Sequence, residues 1–220
     1  MYYPFVLHNE EINHRPIFSG LTGDPFVADM SRNSPLLVET NVRDQRAFQR
    51  TLDRLMAPDC SWGFSPYLER RDTLLADCPQ MASDQRFFHL GVDIIVPVGK
   101  PLHAPLSSIV AESDYEPGEG NYGGFVLLRH EGRQFQPFFS LYGHLDRAHL
   151  PVKGSTFDAG EPFARIGDFP DNGNWFHHTH LQVITAEGLQ QGYQFKGYCA
   201  PEDLPEIEDL CPSPLPLFRV

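Results

Sequence analysis

From Phe87 onward the sequence is a succession of short apolar runs separated by joints rich in Gly and Pro. Runs of this length, bounded by turn residues, are typical of β-strands and are too short for most helices. The sequence therefore predicts a mainly β fold, an antiparallel β-sheet or sandwich. The predicted strands are 92–96, 109–112, 124–129, 137–142, 162–166 and 181–185.

The first part of the chain lacks this strand pattern. Apolar residues at helical spacing predict an amphipathic helix over 42–56 with Asn41 as its N-cap, and a second short helix is predicted near 67–75. We therefore interpret residues 1–85 as an N-terminal extension that packs on the rest of the chain and is not stable alone.

The β pattern ends near Glu187, and five prolines follow between residues 201 and 216. These features predict a β domain over residues 86–190 and a Pro-rich C-terminal tail, 191–220, that packs on this core.

The charge of the chain bears on its partners. There are 17 Lys and Arg residues against 29 Asp and Glu residues, a formal net charge of −12. Such a surface repels nucleic acid and anionic lipid, so no nucleic-acid partner is expected.

The same sequence indicates a cellular location. It contains no apolar run long enough for a membrane helix, so no membrane insertion is expected, and its N-terminus lacks the pattern of a secretory signal. The four cysteines form no Cys-x-x-Cys pair. We expect a cytoplasmic protein with free thiols, unless a leader was removed.

The β region contains residues that suit a metal ion. His178 and His180 lie at i and i+2 of a predicted strand and should share one face, and His89 and Asp93 are spaced i, i+4 on what we interpret as one strand face. Imidazole nitrogens and a carboxylate suit zinc, and three protein ligands leave a position for water. The pattern predicts a zinc hydrolase.

Five sequence blocks in order resemble the lysostaphin and LytM-type zinc metallopeptidases, many of which cut peptidoglycan cross-links. The blocks are His89-Leu90-Gly91-Val92-Asp93-Ile94, Gly99-Lys100-Pro101-Leu102-His103-Ala104-Pro105, Tyr142-Gly143-His144-Leu145, Ala159-Gly160-Glu161 with Ile166-Gly167, and His178-Thr179-His180-Leu181. The resemblance implies one zinc ion per chain, ligated by His89, Asp93 and His180, with His144 and His178 as catalytic, non-ligating histidines.

The chain also differs from that family before the last block. Thr179 stands where the family commonly has a hydrophobic residue, and we expect it to point away from the metal. Trp175 and Phe176 replace a Gly- and Ser-rich loop and should alter the rim of the cleft. His177 is predicted to be structural or exposed, and His130 to lie at the surface.

A subgroup resembles the chain over more of its length. Its members share a segment like Tyr67-Leu68-Glu69-Arg70-Arg71 and a late Cys211-Pro212, and they occur fused to kinase-like and class III aminotransferase-like modules. This resemblance implies a role inside the cell and away from the cell wall.

The functional hypothesis is a zinc-dependent endopeptidase that hydrolyses a peptide or amide bond with metal-activated water, in a peptidoglycan-like or small intracellular peptide substrate. His144 and His178 are expected to orient water, accept its proton and stabilise the oxyanion, in roles that the sequence does not divide. The alternatives are a non-catalytic, zinc-containing regulatory or interaction module and, with Asp93 against it, a histidine phosphocarrier.

Overall fold

The computed structural model of the 220-residue chain describes residues 1–38, 40–56, 60–76, 78–133 and 135–219. The fold is mainly β, as predicted. The described strands, numbered in chain order, are β1 Phe26–Val27, β2 Gly63–Ser65, β3 Phe88–His89, β4 Val92–Ile95, β5 Pro101–His103, β6 Ser108–Glu116, β7 Gly123–Gly132, β8 Phe135–Leu145, β9 Thr156–Phe157, β10 Pro162–Arg165, β11 His178–Thr185 and β12 Tyr198–Cys199.

Eight of these strands form one sheet, in the order β1-β2-β4-β11-β8-β7-β6-β9. The β1–β2 pair is parallel and the other neighbours are antiparallel. Two further pairs, β10-β5 and β12-β3, are both antiparallel. Every predicted strand overlaps an observed one, and β11 lies between β4 and β8 near the middle of the sheet.

The described α-helices are short except for one. They are α1 Pro35–Val38, α2 Gln45–Met56, α3 Pro79–Ser83, α4 Ala186–Gln190 and α5 Ile207–Leu210. The predicted start of the long helix is wrong by three residues. Its first turn is capped by Asp44, whose Oδ1 accepts a hydrogen bond from the Ala47 N–H at 2.9 Å, whereas Asn41 closes a turn before the helix.

The predicted helix at 67–75 is also wrong. Leu68 has a φ of +57°, which breaks helical geometry. The backbone hydrogen bonds of this segment go to β3: Leu68 N–H donates to the His89 carbonyl at 2.7 Å, and Arg71 N–H donates to the Phe87 carbonyl at 2.9 Å. Pairing with a neighbouring strand has replaced the local helical hydrogen bonds.

The sheet is covered on both faces. Alternate residues of β11 separate the two sides: Leu181 and Val183 pack in one apolar cluster, whereas Ile184 packs in another with residues of the C-terminal segment such as Ile207 and Leu210. His178, His180 and Gln182 have the same parity as Ile184, so they share its face.

A third apolar cluster joins the first part of the chain to the β region. Phe48 and Leu52 of α2 pack with Ile95 of β4 and with Phe176, just before β11. The strands of the main sheet therefore share a core with residues from the predicted N-terminal extension. The predicted boundaries near residues 85 and 190 stay a prediction.

Two sequence expectations concern membranes and thiols. Among the described residues, no helix is both long enough and apolar enough to span a bilayer. Cys60, Cys199 and Cys211 are free thiols, and the last two are buried. Burial raises the pKa of each of these two thiols to about 12, so they are unreactive at neutral pH.

Candidate metal centre

Three buried side chains converge on one point of the central sheet. One ligand atom from each of His89, Asp93 and His180 lies within 4.8 Å of the others. His89 Nε2 lies 2.9 Å from His180 Nδ1, and Asp93 Oδ1 lies 3.2 Å from His89 Nε2 and 3.4 Å from His180 Nδ1. Residues 91 positions apart in sequence thus meet around a small common centre.

The strand register brings two of these residues together. In the antiparallel pair β4–β11, Asp93 lies directly opposite His180. Cross-strand neighbours in such a pair have Cβ atoms about 5 Å apart on the same face, which lets both side chains reach one ion.

His89 reaches the centre by a different route from the one predicted. We expected His89 and Asp93 on a single strand, but His89 ends β3, which pairs with β12, and the chain bends before β4 begins. The bend contains Gly91, where a Cβ atom would lie 2.5 Å from His180 Cε1 and 2.6 Å from the Leu181 carbonyl oxygen. Glycine is therefore required there by space, in agreement with its expected role of relieving crowding.

The outer ring nitrogens of the two histidines are held by acceptors. His89 Nδ1 lies 3.2 Å from the Pro66 carbonyl oxygen, and His180 Nε2 lies 3.0 Å from Gln182 Oε1. The Gln182 amide is oriented in turn, because its Nε2 donates to the Tyr193 carbonyl. Each outer nitrogen must carry the proton, so each inner nitrogen presents its lone pair to the centre.

The second oxygen of Asp93 has its own partners. Asp93 Oδ2 accepts hydrogen bonds from Arg71 Nη1 at 2.6 Å and from Ser65 Oγ at 3.1 Å. The Arg71 guanidinium also donates to Ser65 and, through Nε, to Glu69 Oε2 at 2.8 Å. Its side chain is 1% exposed, so this is a buried network of two carboxylates and one cation.

Two more histidines border the centre. His178 Nε2 lies 3.5 Å from Asp93 Oδ1, and the ring centroids of His144 and His178 are 4.3 Å apart. His178 Nδ1 donates to the Phe176 carbonyl at 2.7 Å, and His144 Nδ1 donates to the Asn172 carbonyl at 2.9 Å. Both rings therefore keep Nε2 as the unprotonated nitrogen.

The backbone of His144 is unusual. Its φ of +62° lies in the left-handed region, which residues other than glycine rarely occupy. The conformation is held by backbone hydrogen bonds on both sides, from the His144 N–H to the Tyr122 carbonyl and from the Gly167 N–H to the His144 carbonyl. Such strained positions are concentrated at functional sites.

Electrostatics keep these imidazoles neutral. Burial lowers the pKa of His89 to about 3, with Arg71 contributing, and burial lowers the pKa of His178 to about 4. Burial also holds the pKa of His144 well below its usual range. At neutral pH these rings are free bases that can bind a metal or accept a proton.

Asp93 stays ionised despite its burial. Burial by itself raises its pKa, but the contacts with His89 and with the Arg71 guanidinium outweigh that effect and hold the pKa well below its usual range. The centre thus offers one negative oxygen and two neutral nitrogens, a donor set that fits zinc better than calcium or magnesium.

A cleft leads to the centre. It is a cavity of about 200 Å³ whose wall includes Asp93, His144, His178 and His180. Trp175 and Phe176 line it, and a change of the cleft rim relative to the family stays a prediction. The first part of the chain also contributes to the lining, with Leu74, Gln80, Met81 and Arg86.

Of the remaining predictions near the site, some agree with the structure and one does not. Thr179 points away from the centre and donates to the Gly143 carbonyl at 3.0 Å, as expected. His177 does not join the cluster, and its Nε2 lies 3.1 Å from Asp168 on the outside. The prediction that His130 lies at the surface is wrong, because it is 0% exposed and its Nε2 lies 2.7 Å from Ser140 Oγ.

The sequence interpretation missed several residues around the centre. Gln182 lies two positions after His180, so the two-residue period of a β-strand could have placed it on the same face. Arg71 and Ser65 have no such spacing: they lie 22 and 28 positions from Asp93, in a segment whose fold the sequence pattern did not indicate.

The comparisons agree with this geometry. Residues 87–191 match peptidase family M23. The predicted resemblance to lysostaphin and LytM-type peptidases is therefore confirmed for that segment of the chain.

Individual relatives cover only part of the chain. A Haemophilus influenzae protein described as an uncharacterized metalloprotease is 38% identical over 80 residues, which are 36% of this chain and 15% of that protein. The chain therefore matches only a small part of this relative's length.

Solved structures are similar over about half of the chain. The catalytic domain of the antimicrobial peptidase lysostaphin from Staphylococcus simulans has a TM-score of 0.38 and 19% identity, covering 56% of this chain and 80% of that one. A zinc containing peptidase from Vibrio cholerae has a TM-score of 0.35 and 23% identity, covering 44% and 27% respectively.

Proposed function

We propose that the chain is a zinc-dependent metallo-endopeptidase that hydrolyses a peptide or amide bond in a short peptide or a peptidoglycan-like substrate. The observation that carries the proposal is the orientation of the donors. Both ligand histidines have their outer nitrogens bonded to acceptors, and Asp93 has its outer oxygen bonded to donors, so all three inner atoms face one point.

In this proposal His89 Nε2, Asp93 Oδ1 and His180 Nδ1 hold one zinc ion. When bound, zinc supplies Lewis acidity, which lowers the pKa of water and polarises a carbonyl. One ionised carboxylate and two neutral imidazoles leave the ion with most of its charge.

His144 and His178 supply proton transfer. Their Nδ1 atoms are fixed by the Asn172 and Phe176 carbonyls, so their Nε2 atoms are the acceptors that face the cleft. One ring accepts the proton of the attacking water, and the protonated ring stabilises the oxyanion or donates to the leaving amine. Their ring centroids are 4.3 Å apart, so a positive charge on one ring disfavours a charge on the other, and the pair carries one proton at a time.

The cleft favours a peptide of limited length. Its lining includes Trp175, Phe176, Leu74 and Met81, and its volume of about 200 Å³ limits the size of the group that can reach the centre. The lining combines apolar side chains with polar ones such as Gln80, Arg86 and Asn121, which suits a peptide that carries both apolar and polar groups.

The first test measures zinc by mass spectrometry in the purified wild type and in His89→Ala and His180→Ala. We expect about one zinc per chain in the wild type and a loss of most of it in both variants. His149→Ala is the matched control, because this histidine is 56% exposed and pairs with Asp146. Stoichiometric zinc in both site variants would refute the ligand assignment.

The second test measures cleavage of oligoglycine, muropeptides and a general peptide library by liquid chromatography and mass spectrometry. We expect zinc-dependent cleavage that a chelator removes and zinc restores. Bound zinc with no cleavage of any substrate would favour the alternative of a non-catalytic regulatory or interaction module.

A further inference from the structure

We propose that Arg71, from outside the segment that matches the peptidase family, is a positioning residue of the metal centre. Arg71 holds Asp93 so that Oδ1 alone is presented to the metal. The proposal rests on the proposed zinc site and names a part of it that the family segment, residues 87–191, does not contain.

The first argument is geometric. Arg71 Nη1 lies 2.6 Å from Asp93 Oδ2, while Asp93 Oδ1 faces the ligand histidines. Because Ser65 also donates to Oδ2, both lone pairs of that oxygen are engaged, and Oδ1 is the oxygen left for a metal. Arg71 therefore favours ligation through one oxygen over ligation through two.

The second argument is that the orientation of Arg71 is itself fixed. Its Nε donates to Glu69 Oε2 at 2.8 Å, and Glu69 Oε1 accepts from the Met30 N–H at 2.8 Å. Its remaining guanidinium nitrogen donates to Ser65 Oγ, whose backbone lies opposite Asp93 in the β2–β4 pair. The planar guanidinium is held at three corners, which an ammonium group cannot reproduce.

The third argument concerns the positive charge of Arg71. Orientation and charge predict opposite changes in metal affinity, and this makes the proposal testable. A permanent cation beside a divalent metal repels it, so if Arg71 acted only through its charge, removing it would tighten metal binding. If Arg71 acts by orienting Asp93, removing it weakens binding. Glu69 offsets the positive charge of Arg71 and reduces the repulsion without disturbing the orientation.

The experiment measures zinc affinity by competition with a chelator at pH 7 in the full chain. We expect Arg71→Met to bind zinc about 10- to 100-fold more weakly than the wild type, the range for residues that orient metal ligands. Arg70→Met is the matched control: this neighbouring arginine is 51% exposed and pairs with Asp72, and its loss should leave the affinity unchanged.

Two variants separate orientation from charge. Arg71→Lys keeps the charge but cannot contact Asp93, Glu69 and Ser65 together, so its affinity should fall close to that of Arg71→Met. Cobalt substitution adds a spectroscopic readout, because release of Asp93 Oδ2 lets both oxygens ligate, and the higher coordination number weakens the visible absorption of Co²⁺.

The outcomes are distinct. Unchanged or tighter zinc binding in Arg71→Met, or full recovery in Arg71→Lys, would overturn the proposal. If Arg71→Met does not fold, Ser65→Ala removes the other donor to Asp93 Oδ2, and we expect a several-fold loss of affinity; wild-type affinity there would also overturn it. A wild type that binds no zinc would defeat the proposed function itself.

Discussion

The four histidines of the candidate metal centre and His130 are similarly buried, but they differ in their partners. His89, His144, His178 and His180 each have one ring nitrogen bonded to a carbonyl-type oxygen that can only accept, which fixes the tautomer and leaves the other nitrogen as a base. His130 meets a hydroxyl, which donates or accepts equally well, and packs on Phe138.

The comparison shows that burial and a lowered pKa do not define a functional histidine here. Burial lowers the pKa of His130 to about 4, as it does for His178. What distinguishes the site is convergence: three of its four histidines have a nitrogen within 3.5 Å of Asp93 Oδ1. The following predictions test this difference, from the largest expected effect to the smallest.

The largest effect is expected on catalysis. His144→Ala and His178→Ala should each retain zinc but lower the rate of peptide hydrolysis by about 10²- to 10⁴-fold, the usual contribution of a general acid or base. His130→Ala should keep both zinc and rate per folded molecule. Steady-state kinetics with zinc analysis measures both, and a His130→Ala protein that is folded but inactive would remove the distinction.

Acid should destabilise the metal-free protein through both kinds of histidine. The unfolded chain binds a proton near pH 6.5, but folded His130 does so only near pH 4, so stability is fully present above pH 6.5 and is lost as the pH falls toward 4. This gap corresponds to roughly 3 kcal/mol at pH 4. Urea unfolding from pH 7.5 to 4.5 should show the loss.

His130→Asn is the informative variant for that experiment. It removes one titrating group that is remote from the metal centre. The free energy of unfolding should therefore fall less steeply as the pH is lowered, by about the contribution of one histidine. An unchanged pH dependence would show that His130 is protonated in the fold at its ordinary pKa.

The acceptor behind His180 should matter for metal binding. Gln182→Leu removes the oxygen that holds the proton on His180 Nε2, and we expect zinc affinity to fall about 10- to 100-fold. Ser140→Ala is the matched change at His130 and should lower stability by about 1–3 kcal/mol with zinc affinity unchanged. Chelator competition and thermal unfolding separate the two results. Equal zinc affinity in both variants would contradict the fixed tautomer.

The smallest effect is expected at Thr179. Thr179→Val removes the hydrogen bond to the Gly143 carbonyl while keeping the shape of the side chain, so stability should fall by about 1 kcal/mol. Zinc content and rate should stay at wild-type values. A marked loss of zinc would mean that the opposite face of β11 controls the ligands more strongly than its contacts indicate.

Much of the site was predictable because it follows strand periodicity. The i, i+2 spacing of His178 and His180 placed both on one face, and the apolar runs located the strands that carry them. The two-residue period of a strand, applied to β7, would have placed His130 on the same buried face as Val126 and Leu128. Its charged neighbours Arg129 and Glu131 obscured that pattern.

What the sequence did not predict depends on contacts between distant segments. The chain bends between His89 and Asp93. These two residues, spaced i, i+4, therefore lie on two different strands, β3 and β4. Arg71 reaches Asp93 only because residues 68–71 bond to the backbone of residues 87–89 in place of forming a helix. No local pattern encodes such an interaction, since its free energy depends on tertiary packing.

The pairing of β2 with β4 has a consequence for any shortened form of the protein. In the whole chain Gly63 and Ser65 cover the backbone of Ile95 and Asp93. Cutting the chain to residues 87–191 would leave β4 as a bare sheet edge with unpaired N–H and C=O groups beside apolar side chains. Exposed edges of this kind recruit strands from other molecules, so we expect the shortened chain to aggregate.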